Sequence, residues 1–182
     1  MKKTILVFGL ISGAVSALMM VATLPFLDRI GSERGYVLGY TSIVLSFLLV
    51  FFGIRSYRNN VGNGQITFGR AFTIGISITV ISCLFYVATW EILYYNFLPG
   101  FWDKYGAQAV AKLQASGASS AAIAAQLEQV KKYKEMYANP LINGAMTFIE
   151  PFPVGLVITL ISAAILRKKR QPQTTPEPLP AA

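Results

Sequence analysis

Two carboxylates stand inside long apolar runs, Glu91 and Glu150, and they are the side chains best placed to do chemistry. An ionisable group at membrane depth is costly, so it marks either an ion pathway or a packing contact. Glu150 is followed by Pro151 and, two residues later, Pro153. Proline has no amide proton and its ring clashes with the preceding turn, so a helix should kink or break there. Broken helices at membrane depth commonly line cavities or ion sites. One reading of Glu91, Glu150, Pro151 and Pro153 is therefore a proton or cation site. The other is a pair of interfacial acids, solvated or bonded to Tyr and Asn, that fix helix packing. Counting about 20 residues per 30 Å outward from Arg70 and Arg167 puts both acids near the outer edge of the hydrocarbon, which favours the packing reading.

What is missing narrows the chemistry further. The chain has no histidine, which removes Ser-His-Asp and Cys-His catalysis, His-ligated zinc or haem, and a histidine pH switch. Its one cysteine, Cys83, lies in an apolar run and has no partner for an internal disulfide. No paired acidic metal motif is present, so no metal, no cofactor and no enzymatic activity are expected. The run Asn59-Asn60-Val61-Gly62-Asn63-Gly64 contains glycines but lacks the lysine and hydroxyl of a phosphate-binding loop, and reads as a tight turn.

The elements that position these residues follow from composition. Hydrophobic residues make up 54% of the 182 and charged residues 13%, against about 25% charged in an average soluble domain. The apolar residues fall in four blocks, 4–27, 36–54, 71–98 and 141–166. Lipid offers the backbone no hydrogen-bond partners, so blocks of this length must be helices. The first block resembles a signal peptide, with Lys2 and Lys3 before it and Val15-Ser16-Ala17 as a cleavage-like site. It continues apolar well past Ala17, so an uncleaved span is expected. Thr67 is a candidate cap for the third span.

The fold class expected is all-α: a polytopic membrane protein with four transmembrane helices and an outer-side helical hairpin between the third and fourth. Residues 1–170 form the membrane domain and 171–182, with four prolines, a disordered tail. The insertion, about 105–139, reads as two helices. Val110 and Leu113 mark the first, ended by Gly117; Ser119 or Ser120 caps the second, whose stripe is Ile123, Leu127, Val130 and Tyr137. That stripe either packs on the spans or docks another protein.

The net charge of +8 is concentrated beside the apolar blocks. Lys2 and Lys3, then Arg55, Arg58 and Arg70, then Arg167-Lys168-Lys169-Arg170 mark cytoplasmic flanks, which places both termini inside. This placement argues for the lipid bilayer, and not nucleic acid, as the charge's partner. Small residues recur four apart at Gly9 and Gly13 and at Gly35 and Gly39, spacing that lets helix backbones approach closely. It serves packing within the chain or a homodimer equally well.

A family resemblance rests on several short motifs. Gly35-Tyr36 and Gly39-Tyr40 open the second span, and Phe52-Gly53-Ile54-Arg55-Ser56-Tyr57-Arg58 closes it. Gly64-Gln65-Ile66-Thr67-Phe68-Gly69 leads into the third; Tyr137-Ala138-Asn139-Pro140 precedes the fourth, and Glu150-Pro151-Phe152-Pro153-Val154-Gly155-Leu156 lies within it. Together these resemble domain-of-unknown-function family 4199, small bacterial integral membrane proteins. The resemblance implies the same four-helix layout in a bacterial inner membrane and supplies no catalytic residues. The functional expectation is a non-enzymatic scaffold or accessory subunit with a membrane-protein partner. The alternative is a small transporter or proton or cation channel using Glu91 and Glu150, and a membrane enzyme ranks third.

Overall fold

The computed structural model describes residues 1–23 and 32–168. The end of the first apolar block, the loop with Asp28 and Arg29, and the proline-rich tail lie outside the described residues. The helices are α1 (Lys2–Thr23), α2 (Ser32–Asn60), α3 (Phe68–Phe97), α4 (Phe101–Ala115), α5 (Ser120–Tyr137), α6 (Pro140–Ile149) and α7 (Phe152–Leu166). Among the described residues four segments are long and apolar enough to cross a membrane: Lys2–Thr23, Val37–Asn60, Phe68–Phe97 and Pro140–Leu166. The fold is all-α, a polytopic membrane protein with a helical hairpin, α4 and α5, between its third and fourth spans.

Local chemistry sets the helix ends. Thr67 Oγ1 accepts from the Arg70 amide at 3.3 Å and starts α3. Pro99 cannot continue that helix, and Gly100 adopts φ 71°, so the chain reverses and α4 begins at once. The hairpin's first helix therefore starts at Phe101, ahead of the expected start near Tyr105, and includes Trp102. Gly117, at φ 73°, closes α4 with its amide on the Gln114 carbonyl, and Ser119 caps α5. Asn139 caps α6, with Pro140 at the first turn, where its missing amide costs nothing.

The turn at 59–64 is tight. Gly62 donates to the Tyr57 carbonyl and Gly64 to that of Arg58, at 3.0 and 2.9 Å. A Cβ on Gly62 would strike the Gln65 carbonyl oxygen. Ile66 and Lys168 then exchange backbone hydrogen bonds of 3.1 and 2.9 Å, which ties this turn to the end of α7.

α1 packs against α2 and α3, and α7 against the same two helices. Ser12 Oγ donates to the Ser46 carbonyl, 2.9 Å, and lies in hydrogen-bond contact with Ser82 Oγ, 3.0 Å, where three helices meet. Gly9 and Gly13 face α3: a Cβ at either would lie 2.9 Å from Ile81 or 2.7 Å from Phe85. On the opposite side, Gly75 and Gly155 let α3 and α7 close on each other, and the Thr79 and Thr159 hydroxyls meet at 3.1 Å. Close approach of small residues replaces the hydrophobic drive that lipid cannot supply. Phe47, Val50, Ile54, Ile74 and Ile78 fill the centre. Large apolar side chains such as Ile92, 58% exposed, and Ile165, 66% exposed, point outward. An apolar exterior of this kind needs hydrocarbon around it.

Gly35 and Gly39 do something different from the expected close packing. A Cβ on Gly39 would meet nothing within 4 Å, and both glycines border a cavity. Here the small residue leaves room instead of bringing two backbones together.

Candidate cavity between the bundle and the hairpin

The site is assembled from two helix faces. On α6, Asn143 and Thr147 lie four residues apart, with Glu150 three further on, so all three share one side of the helix. On α3, Tyr86 and Trp90 are also four apart and face them. Asn143 is fully buried. Its Oδ1 accepts from Trp90 Nε1 at 2.9 Å and from Thr147 Oγ1 at 3.3 Å, while its Nδ2 is buried with no partner. The Tyr86 hydroxyl donates to Glu150 Oε2 at 3.5 Å, a long and weak contact.

Glu150 opens onto a cavity of about 370 Å³ at the hairpin end of the bundle. α1 contributes Ser16 and Met20 and α2 contributes Tyr40. The hairpin roofs it with Trp102, Lys104, Tyr105 and Tyr137. An aromatic mesh holds that roof down. Phe101 meets Trp90 of α3 edge-on at 5.3 Å, and within the hairpin Trp102 stacks on Tyr133 with centroids 5.3 Å apart and meets Tyr137 edge-on at 5.0 Å. The Tyr95 hydroxyl donates to the Tyr137 carbonyl at 3.0 Å. Burial, and then the charge of Glu150, push the Tyr137 phenol up.

Glu91 does not join this site. Glu91 follows Trp90 by one residue and so points about 100° away around the helix. Its Oε1 lies 3.6 Å from the Cβ position of Gly144 and is buried without a hydrogen-bond partner. Glu91 thus sits in the α3–α6 contact and Glu150 in the cavity, and a site sharing both carboxylates is not assembled.

The break at the prolines is subtle. Glu150 (φ −63°, ψ −58°) and Pro151 (φ −80°, ψ −24°) both keep right-handed helical angles. Proline at 151 and 153 still withholds the amides that the Thr147 and Ile149 carbonyls would use. The ladder resumes with the Gly155 amide on the Pro151 carbonyl at 3.1 Å. Pro151 is fully buried and Pro153 exposed.

A single carboxylate, one rim lysine and aromatic walls can hold a ligand. Among the described residues no group of three His, Cys, Asp or Glu could hold a metal ion. The model of the family described as "Protein of unknown function (DUF4199)" matches residues 7–168. The chain belongs to the DUF4199 family. No curated protein and no solved structure matches this DUF4199 chain. Sequence reasoning passed over Asn143, Tyr86 and Lys104. The four-residue step from Asn143 to Thr147, three short of Glu150, was a usable signal for a polar helix face, whereas nothing in the sequence pointed to Lys104.

Proposed function

We propose that this DUF4199 protein is a non-enzymatic accessory subunit or scaffold of the bacterial inner membrane, with both termini cytoplasmic and the α4–α5 hairpin outside. The observation that supports this reading is how the hairpin is built. Its base meets the bundle where Phe101 packs on Trp90 and the Tyr95 hydroxyl donates to the Tyr137 carbonyl, and its two helices are joined by the Trp102–Tyr133 stack, the Val130–Gly106 contact and a 2.6 Å Lys134–Asp103 ion pair. Its outward face carries Leu127, 51% exposed, among Glu128, Lys131 and Lys132. A rigid base with an uncovered mixed face suits docking of another membrane protein.

The test is crosslinking and mass spectrometry in the native membrane. A stoichiometric partner crosslinked through Lys131 or Lys132 is the expected result, and no partner at any crosslinker length overturns the reading. Topology is tested separately with reporters fused after Asn63, after Gly117 and at the C-terminus. The first and last should report cytoplasm and the middle one the outside. Homodimerisation through Gly9 and Gly13 is not part of the proposal, because Ile81 and Phe85 of the same chain already occupy that face.

A second reading is favoured by the cavity and the interrupted fourth span: a small transporter or cation pathway. Because Glu91 is turned away, this reading depends on Glu150 alone. In proteoliposomes, a flux that falls with Glu150→Gln and with Pro151→Ala but not with Glu91→Gln would support it. A flux indifferent to Glu150→Gln would remove it.

A further inference from the structure

We propose that the cavity binds a small zwitterion, its ammonium group against Glu150 and the aromatic walls and its anionic group toward Lys104. Among the described residues Glu150 is the one acid that lines the cavity, and its described contact is the long hydrogen bond from Tyr86. Among the described residues no ion pair reaches Glu150 or Lys104; the Lys134–Asp103 pair lies elsewhere on the hairpin. A carboxylate at the edge of a low-dielectric region without a cation beside it is poorly compensated.

The surroundings select the kind of cation. Tyr40, Tyr86, Trp90 and Tyr137 line the same space, and aromatic faces attract an organic ammonium through the ring quadrupole. A bare metal ion would want several hard oxygen ligands, and the wall offers one carboxylate. The volume, about 370 Å³, is in the range of small-ligand sites.

The second pole lies on the hairpin. Glu150 lies ten residues into the Pro140–Leu166 span, some 15 Å along the helix from its start. Lys104 is in the first turn of α4, on the roof. Negative charge below and positive charge above match a ligand that enters ammonium first. The headgroup of an ethanolamine phospholipid and a free soluble zwitterion share this chemistry.

This inference goes beyond the docking role and rests on the cavity alone, so the two stand or fall separately. Trp90 and Trp102 are the chain's two tryptophans and both line the cavity, so intrinsic fluorescence reports occupancy directly. The full chain is placed in nanodiscs of phosphatidylglycerol and titrated with glycerophosphoethanolamine; in a second arm the discs carry increasing phosphatidylethanolamine. A saturable fluorescence change is expected, weakened at least tenfold by Glu150→Gln and unaltered by Glu91→Gln. Lys104→Ala, an exposed change that leaves the bundle intact, should reduce glycerophosphoethanolamine affinity to that of ethanolamine. Saturation in the lipid arm with competition from the soluble probe identifies a lipid ligand, and saturation in the soluble arm alone a free one. No saturable change in either arm, or equal titrations for the parent and Glu150→Gln, overturns the proposal.

Discussion

The two ends of the bundle are packed by opposite rules. From the 59–64 turn up to Ser12, Ser46 and Ser82, helices meet through Gly53, Gly75 and Gly155, leaving no space for a further carbon. At the hairpin end, Gly35 and Gly39 face open volume, and large aromatics bridge gaps instead of closing them. The first region is dry and close-packed, so its energetics are those of contact and strain. The second is built around a space, and its walls are held by ring contacts and a few hydrogen bonds. The same residue type, glycine, serves both ends; what lies opposite decides its role.

The comparison can be broken most directly at the tight end. Gly155→Val would drive methyl groups into Thr79 and Phe47, and Gly13→Ile would drive a larger side chain into Phe85. Overpacking of this kind costs about 1–3 kcal/mol or more. We expect each variant to lose most of its folded population in detergent, measured by thermal unfolding. A Gly13→Ile protein that stays a folded monomer would show that α1 does not depend on this contact.

An intermediate effect is expected where the two ends meet. Asn143→Leu removes the acceptor for Trp90 Nε1 and Thr147 Oγ1. The loss should be about 1–3 kcal/mol because the indole donor is left unpaired. Trp90→Phe removes the donor as well and should rescue part of that loss in the double variant. Strict additivity in the double-mutant cycle would deny the hydrogen bond any energetic role.

Smaller effects belong to the acids. Glu91→Gln should be neutral or slightly stabilising, since the buried Oε1 has no partner and an amide avoids burying charge. Glu150→Gln, facing the cavity, should keep stability within about 1 kcal/mol of the parent. A large loss in Glu150→Gln alone would make Glu150 part of the packed structure instead of the cavity wall. The smallest change is Gly39→Ala. With nothing within 4 Å, the methyl group enters free space and gains helix propensity. Melting should be unchanged or slightly higher, and a clear destabilisation would show that Gly39 is packed after all.

Much of the architecture was legible in the chain itself. Four apolar blocks separated by charged or turn-forming stretches could satisfy their backbones in lipid only as helices. Thr67, Gly117 and Ser119 act within a few residues of themselves, and their signals survive any tertiary context. That the hairpin opens at Phe101 was not legible, because what holds Phe101 and Trp102 there is the edge contact of Phe101 with Trp90 and the stack of Trp102 on Tyr133, both set by the tertiary fold.

Residue order is enough to put Glu91 and Glu150 in the third and fourth apolar segments, because depth is a count of residues at 1.5 Å each. It could not determine their relation, because azimuth matters as much as depth: one step along α3, from Trp90 to Glu91, turns a side chain from the cavity edge into the Gly144 contact. Spacing alone likewise treats Gly9, Gly13, Gly35 and Gly39 as equivalent. Only the tertiary structure set Ile81 and Phe85 against the first pair and empty space against Gly39, because a glycine's role is fixed by the atoms across from it.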